Sequence, residues 1–314
     1  MLADKLKIGD TIGVIAPDKA LFKEYGDDIA LEKAIKFFED LGLKVLLGKY
    51  LWTDVYNEDN YCAGTKEERA EDINNMFSNK EVKAIFSLKG GDVVNELLPL
   101  IDYENIKKNP KIFLGMSDLT ILLCAIYKMT GLITFHCTDF INYGKDSDES
   151  EYAVCDYDRN EIIDKLFYGN KTILPYDDRL FLNFKEKVVG KSFGTNDVSI
   201  LKLIGTSYQP DFFDSILFIE GYRTNLMQWK SYITQYKQAG LLSKAIVYGY
   251  CFNLEYQKED SSKIDELLKY TSFLPCVKTN DFGHRHANSI IPIGVDVELD
   301  PDNKRIRVLE DYLK

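Results

Sequence analysis

Short β-branched runs alternate with amphipathic helical patterns through the first half of the chain, and that alternation leaves few folds open. Residues 11–16, 44–47, 84–88 and 111–115 are nearly all apolar over four to six positions. A strand buried on both faces looks like this, and such strands belong to parallel sheets covered by helices. Between the runs, residues 28–41 carry Ile29, Ala34, Ile35, Phe38 and Leu41 at helical spacing. Thr65-Lys66-Glu67-Glu68 has the form of a capping box, opening a helix to about Phe77, and a further helical pattern runs from Asp118 to Lys128. The first half therefore predicts an α/β fold with a mainly parallel sheet.

The rhythm then changes. From Asn142 to about Asp158 the chain turns polar and acidic, with Asp146, Asp148, Glu149 and Glu151, and reads as a solvated loop. A short helix over 159–167 and an irregular stretch to about Lys187 read as a connection between domains. The division that follows is an N-terminal domain over 1–168, a linker over 169–187 and a C-terminal domain over 188–314. In the last of these, residues 215–220 and 245–250 read as strands and 225–241 as a helix. Residues 293–299 and 305–309 read as a closing hairpin around Pro301-Asp302-Asn303.

Composition narrows the function. The chain has 314 residues and is 45% hydrophobic, enough to bury a substantial core. Lys plus Arg number 39 against 50 for Asp plus Glu, a net charge of −11, which speaks against nucleic acid or an anionic membrane as the main partner. The first residues show no secretory leader pattern, and no stretch reaches the ~18 consecutive apolar residues of a membrane span. The expectation is a cytoplasmic protein. Its six cysteines are scattered without a C-x-x-C pair, so they read as reduced thiols rather than a zinc or disulfide framework.

Four features could carry chemistry. Ser117 lies in Gly115-Met116-Ser117-Asp118 between a predicted strand and a predicted helix, where a sharp turn lifts a hydroxyl above the sheet edge. The Asp118 amide could then stabilise an oxyanion from the helix start. An ordinary helix N-cap explains the same serine, and spacing alone favours the cap. Gly90-Gly91 closes the preceding strand; paired glycines let amides approach a substrate oxygen, or simply make a tight turn. Of the three histidines, His136 lies in an apolar strand and reads as structural or pocket-lining, while His284 and His286 share a polar loop that could be functional or merely exposed. Glu220 ends a strand, placed either to orient a histidine or to pair with Arg223. Cys251 follows Tyr248-Gly249-Tyr250 in a similar elbow, but no convincing helix follows it, and it reads as a core thiol. The histidines have no acidic or cysteine partner at diagnostic spacing, so no metal is expected.

Taken in order, these features resemble the LD-carboxypeptidase family of serine peptidases, which includes muropeptide LD-carboxypeptidases and microcin C immunity proteins. The resemblance runs from Leu6-Lys7-Ile8-Gly9-Asp10-Thr11 through Ala63-Gly64-Thr65-Lys66-Glu67-Glu68, Lys89-Gly90-Gly91 and Leu97-Leu98-Pro99-Leu100-Ile101-Asp102-Tyr103. It continues through Gly115-Met116-Ser117-Asp118, Thr134-Phe135-His136, Leu217-Phe218-Ile219-Glu220, Gly283-His284 and Ile291-Pro292-Ile293-Gly294. It implies an N-terminal flavodoxin-like parallel-sheet α/β sandwich plus a smaller C-terminal β-rich α/β domain, with the active site between them. It also implies Ser117 as nucleophile, His284 as general base, Glu220 as its orienting acid, and an oxyanion hole from the amides of Gly91 and Asp118. Lys89, Gly90 and His136 would line the substrate site. No cofactor is implied, and a homodimer is.

Lys89, Asp92, Cys137 and Gly221 depart from residues common in muropeptide-cleaving members, which leaves the triad intact and the pocket altered. Two amide substrates follow, a muropeptide-type peptide first and a peptidyl-nucleotide second. A reading of another class is a peptide-binding protein with an inactive site.

Overall fold

The computed structural model of the chain describes residues 1–53, 61–145, 155–173, 175, 178–242, 244–255, 262–285 and 287–314. Its first half alternates strand and helix: β1 (Thr11–Ile15), α1 (Asp27–Asp40), β2 (Lys44–Leu47), α2 (Lys66–Ser78), β3 (Val82–Ser87), α3 (Tyr103–Lys108), β4 (Ile112–Gly115), α4 (Thr120–Thr130) and β5 (Thr134–His136). The five strands pair in parallel in the order β2-β1-β3-β4-β5, the flavodoxin-like arrangement.

Both faces of this sheet are covered, which is why its strands read as continuous apolar runs. Phe86 and Leu114 point to one core, where Phe38 of α1 meets Phe86 with ring centroids 5.0 Å apart. Ile85 and Phe113 point to the other, where Phe77 of α2 lies 5.6 Å from Phe113. Thr65 caps α2 reciprocally with Glu68, as its motif predicts. On α1 the buried stripe is Leu31, Ala34 and Phe38, whereas Ile29, expected on that face, is exposed.

The rest of the chain adds α5 (Asp156–Glu161), β6 (Thr172–Ile173), β7 (Leu180–Leu182), β8 (Val188–Phe193), α6 (Asp197–Leu201), β9 (Ser215–Gly221) and α7 (Leu226–Gln238). Then come β10 (Ala245–Cys251), α8 (Phe252–Glu255), α9 (Ser262–Tyr270), β11 (Cys276–Gly283), β12 (Ile291–Ile293), β13 (Asp296–Asp300) and β14 (Arg305–Val308). A second, eight-stranded sheet runs β6-β14-β13-β8-β9-β10-β11-β7, with β8 to β11 parallel and the outer strands antiparallel. The 169–187 segment, expected to be an irregular linker, thus supplies both edge strands of this sheet. β12 crosses back and pairs antiparallel with β5, placing Ile291 opposite His136.

The expected solvated loop after Asn142 is corrected in part. Phe140–Gly144 forms a buried turn of 3-10 helix packed on α1, with Phe38 stacked on Phe140 at 5.0 Å. Asp158 is buried too, and its carboxylate accepts the backbone N–H groups of Cys155 and Asn288. A carboxylate so paired is a structural cap, not a solvated charge. The acidic residues at 146, 148, 149 and 151 lie outside the described residues.

Two parallel arrays therefore present the carboxyl ends of their strands. In an open α/β sheet that edge is where ligands bind.

Candidate active site

Four loops at the carboxyl ends of β1, β3, β4 and β5 converge with the ends of β9 and β11 around a cavity of about 450 Å³. Gly90, Gly91, Ser117, Asp139, Tyr222 and His284 are among the residues that line it.

Ser117 begins the turn between β4 and α4 with φ of 57°. A non-glycine residue in the left-handed region stores roughly 1–3 kcal/mol of strain, held only where the surroundings over-determine it. Among the described residues its hydroxyl caps no backbone amide of the following turn, so the ordinary N-cap favoured by spacing is not what forms. The hydroxyl lies 3.1 Å from His284 Nε2 instead.

The other ring nitrogen, His284 Nδ1, lies 2.6 Å from Glu220 Oε2. A carboxylate only accepts, so Nδ1 carries the hydrogen, and Nε2 of the neutral ring is left to accept the serine O–H. Glu220 is fully buried, and its second oxygen accepts from Asn196 Nδ2 at 3.0 Å. Burial pulls the His284 pKa down, but the charge and hydrogen bond of Glu220 outweigh it and raise the net value. Burial likewise pushes Glu220 up, and His284 more than reverses this, so its pKa ends below the ordinary value. The two directions agree: this pair favours imidazolium beside carboxylate. The Tyr222 ring stacks on the imidazole at 4.9 Å and 15° between planes, and the Arg223 guanidinium lies 5.1 Å from the Tyr222 ring centroid. Glu220 is therefore committed to His284 rather than to Arg223.

The loop after β3 supplies the amides. Gly90 N–H donates to Asp139 Oδ2 at 2.9 Å. Asp92 and Val93 N–H both donate to Asp18 Oδ2 at 2.7 Å, and Val94 N–H donates to Asp118 Oδ2 at 2.9 Å. The Gly91 N–H has no acceptor among the described residues. Both glycines are required by space, since a Cβ on Gly91 would lie 1.9 Å from Asp18 Cγ and one on Gly90 would lie 2.6 Å from Ser117 Cβ. The Asp118 N–H belongs to a helix start, whose first amides have no intrahelical acceptor. Its carboxylate is anchored by Ser199 Oγ at 2.8 Å and Lys202 Nζ at 2.6 Å.

Of the residues predicted from sequence, Ser117, Glu220, His284, Gly90, Gly91, Asp118 and Lys89 gather here. Lys89 lines the cavity, but its ammonium pairs with Asp27. His136 does not join the lining: it is buried, with Nδ1 2.7 Å from Thr195 Oγ1 and Nε2 3.4 Å from Asn288 Oδ1. Burial pushes its pKa down to about 4, so the ring is neutral. Because Asn288 Oδ1 also accepts Gly283 N–H at 2.9 Å, His136 braces the strand end that carries His284. His286 lies outside the described residues. A helix, α8, does follow Cys251, contrary to the sequence reading, yet the thiol is buried against Gly249 O at 3.6 Å and burial pushes its pKa far up. Cys251 is a core thiol. Sequence reasoning passed over Asp18, Asp139 and Asn196, whose one signal was a polar side chain just past the carboxyl end of a strand.

Comparisons with known proteins find relatives along the whole chain. Sequence profiles of the LD-carboxypeptidase N-terminal and C-terminal domains match residues 12–137 and 189–299. A "probable murein peptide carboxypeptidase" of Bacillus subtilis is 32% identical over 95% of this chain and 91% of its own. The microcin C7 self-immunity protein MccF of Escherichia coli is 29% identical over 100% of this chain and 97% of its own. The solved structure of MccF in complex with aspartyl sulfamoyl adenosine superposes with a TM-score of 0.85 at 27% identity, covering 100% of both chains. An MccF-like protein from Bacillus anthracis superposes with a TM-score of 0.83 at 26% identity, covering 99% of both.

Proposed function

Because the chain belongs to the LD-carboxypeptidase family of serine peptidases, we propose that Ser117 is its nucleophile, His284 its general base and Glu220 the acid that orients the base. The observation that carries this reading is the continuous path from Ser117 Oγ through His284 to Glu220, at 3.1 and 2.6 Å. His284 takes the serine proton as the oxygen attacks an amide carbonyl, and Glu220 stabilises the imidazolium that forms. The amides of Gly91 and Asp118 receive the oxyanion, and each such donor is worth roughly 3–4 kcal/mol in the transition state. The imidazolium then protonates the leaving amine. Water activated by the same histidine releases the acyl group from Ser117.

For substrate, the reading is a muropeptide-type peptide losing a terminal D-residue, supported by the relative named a murein peptide carboxypeptidase. A second reading, a peptidyl-nucleotide, is supported by the MccF complex with aspartyl sulfamoyl adenosine. Gly90 and Lys89 would face either substrate, with Lys89 screened by Asp27. The family resemblance also supports a cytoplasmic homodimer, which sedimentation of the pure protein would test.

Incubation with a muropeptide tetrapeptide and with a peptidyl-adenylate analogue, followed by mass spectrometry, separates the two. Release of D-alanine is the expected result. Release of the nucleotide part alone would move the assignment to the second reading. Neither product, where a control enzyme works, would overturn both and favour a peptide-binding protein, testable as ligand affinity retained in Ser117→Ala.

A further inference from the structure

Five consecutive amides, from Gly90 to Val94, cross the cavity edge after β3, and their partners follow a pattern. Four are taken by three buried carboxylates: Gly90 by Asp139, Asp92 and Val93 by Asp18, and Val94 by Asp118. The fifth, Gly91, is the one without an acceptor among the described residues, and it lines the cavity. The carboxylates come from three other loops, those after β1, β4 and β5, so each ties the amide run to a different strand end. Asp18 also fills the space a Gly91 side chain would need, so it packs directly behind that residue.

We propose that Asp18 and Asp139 are positioning residues for the oxyanion hole, clamping the amides on either side of Gly91 so that, of these five, its N–H alone is left to join the Asp118 amide at the reacting carbonyl. The inference rests on the triad reading above and concerns groups that never touch substrate. Oxyanion donors work because they are oriented before the charge appears, so they cost no reorganisation during reaction. A glycine pair is the least able of any dipeptide to hold such an orientation by itself. Clamping both neighbours supplies the missing rigidity. Asp139 reaches across from the loop after β5, its Oδ2 accepting the Gly90 amide at 2.9 Å, so it ties the glycine pair to a second strand end.

The clamp does not depend on charge. Burial pushes the Asp18 carboxyl up to about 6 and that of Asp139 up to about 7. A protonated carboxyl, or an asparagine amide, still accepts an N–H through its carbonyl oxygen. The asparagine variants should therefore keep the clamp, and the alanine variants should lose it.

A fluorophosphonate probe reads this without knowledge of the substrate, because its phosphoryl oxygen uses the same donors while Ser117 Oγ displaces fluoride. Labelling is expected to slow by about 100-fold in Asp18→Ala and Asp139→Ala, the scale of losing one oxyanion donor. Asp18→Asn and Asp139→Asn should restore most of the rate. With a cleavable substrate, kcat falls in the alanine variants while KM holds. Thermal melts accompany each variant, and the two positions lie at opposite ends of the clamp, so one that fails to fold leaves the other decisive. Alanine variants labelled at the wild-type rate would overturn the proposal, as would asparagine variants as slow as the alanine ones. A wild-type protein that is not labelled would instead overturn the triad reading and this inference with it.

Discussion

The wall of the cavity and the layer beneath it each hold a buried imidazole, and the two are driven in opposite directions. On the wall, His284 meets the Glu220 carboxylate, and its pKa rises above the ordinary value despite burial. In the layer beneath, His136 meets the neutral groups Thr195 and Asn288, and burial takes it down to about 4. Burial is common to both. What separates a proton acceptor from a brace is one carboxylate within hydrogen-bond distance.

The largest effect should come from the wall. His284→Ala should lower kcat/KM by about 10⁵–10⁶-fold with little change in melting temperature, as loss of a triad base does elsewhere. Glu220→Gln keeps the shape but removes the charge and allows the wrong tautomer, a loss of about 10⁴-fold. The acid limb of the wild-type rate profile should lie above the ordinary histidine value, because the reaction needs neutral His284 and Glu220 raises its pKa. In Glu220→Gln the residual activity should have its acid limb at lower pH.

The layer beneath should behave differently. His136→Asn should cost at most about tenfold in kcat but about 1–3 kcal/mol of stability, the scale of unsatisfying buried hydrogen-bonding groups. Denaturant unfolding would measure it. Its pH dependence has a definite sign. The unfolded chain protonates His136 near ~6.5 while the fold resists until about 4, so this histidine's stabilising contribution fades as pH falls through that window. The stability deficit of His136→Asn at pH 7.5 should therefore shrink by about 1–2 kcal/mol at pH 5. A deficit that grew on acidification would contradict a neutral His136.

The same contrast marks what could be read before the fold was known. The parallel strands, the capped α2 and the closing hairpin are written in local periodicity. So were the loops carrying Ser117 and His284, though spacing alone favoured a helix cap for the serine. The structure instead gives Ser117 a left-handed backbone, with its hydroxyl turned to His284. His136 reads from its apolar strand as structural or pocket-lining, and only the pairing of β12 with β5, which no local signal shows, decides for the structural role. Asp18 and Asp139 are 121 positions apart in sequence and meet the Gly90–Gly91 turn only when four strand ends converge. Edge strands β6 and β7 escaped notice for a related reason: they are two and three residues long, and distant partners alone define them.

Nitrogen-15 NMR titration of the histidine rings, in the wild-type protein and in Glu220→Gln, tests most directly that His284 and not His136 is the base. The His284 ring should titrate above 6.5 with its proton on Nδ1 and fall in the glutamine variant, while His136 stays neutral down to about pH 4. A His284 ring that titrates below 6.5 and ignores Glu220→Gln, or a His136 ring that titrates near 6.5, would contradict it.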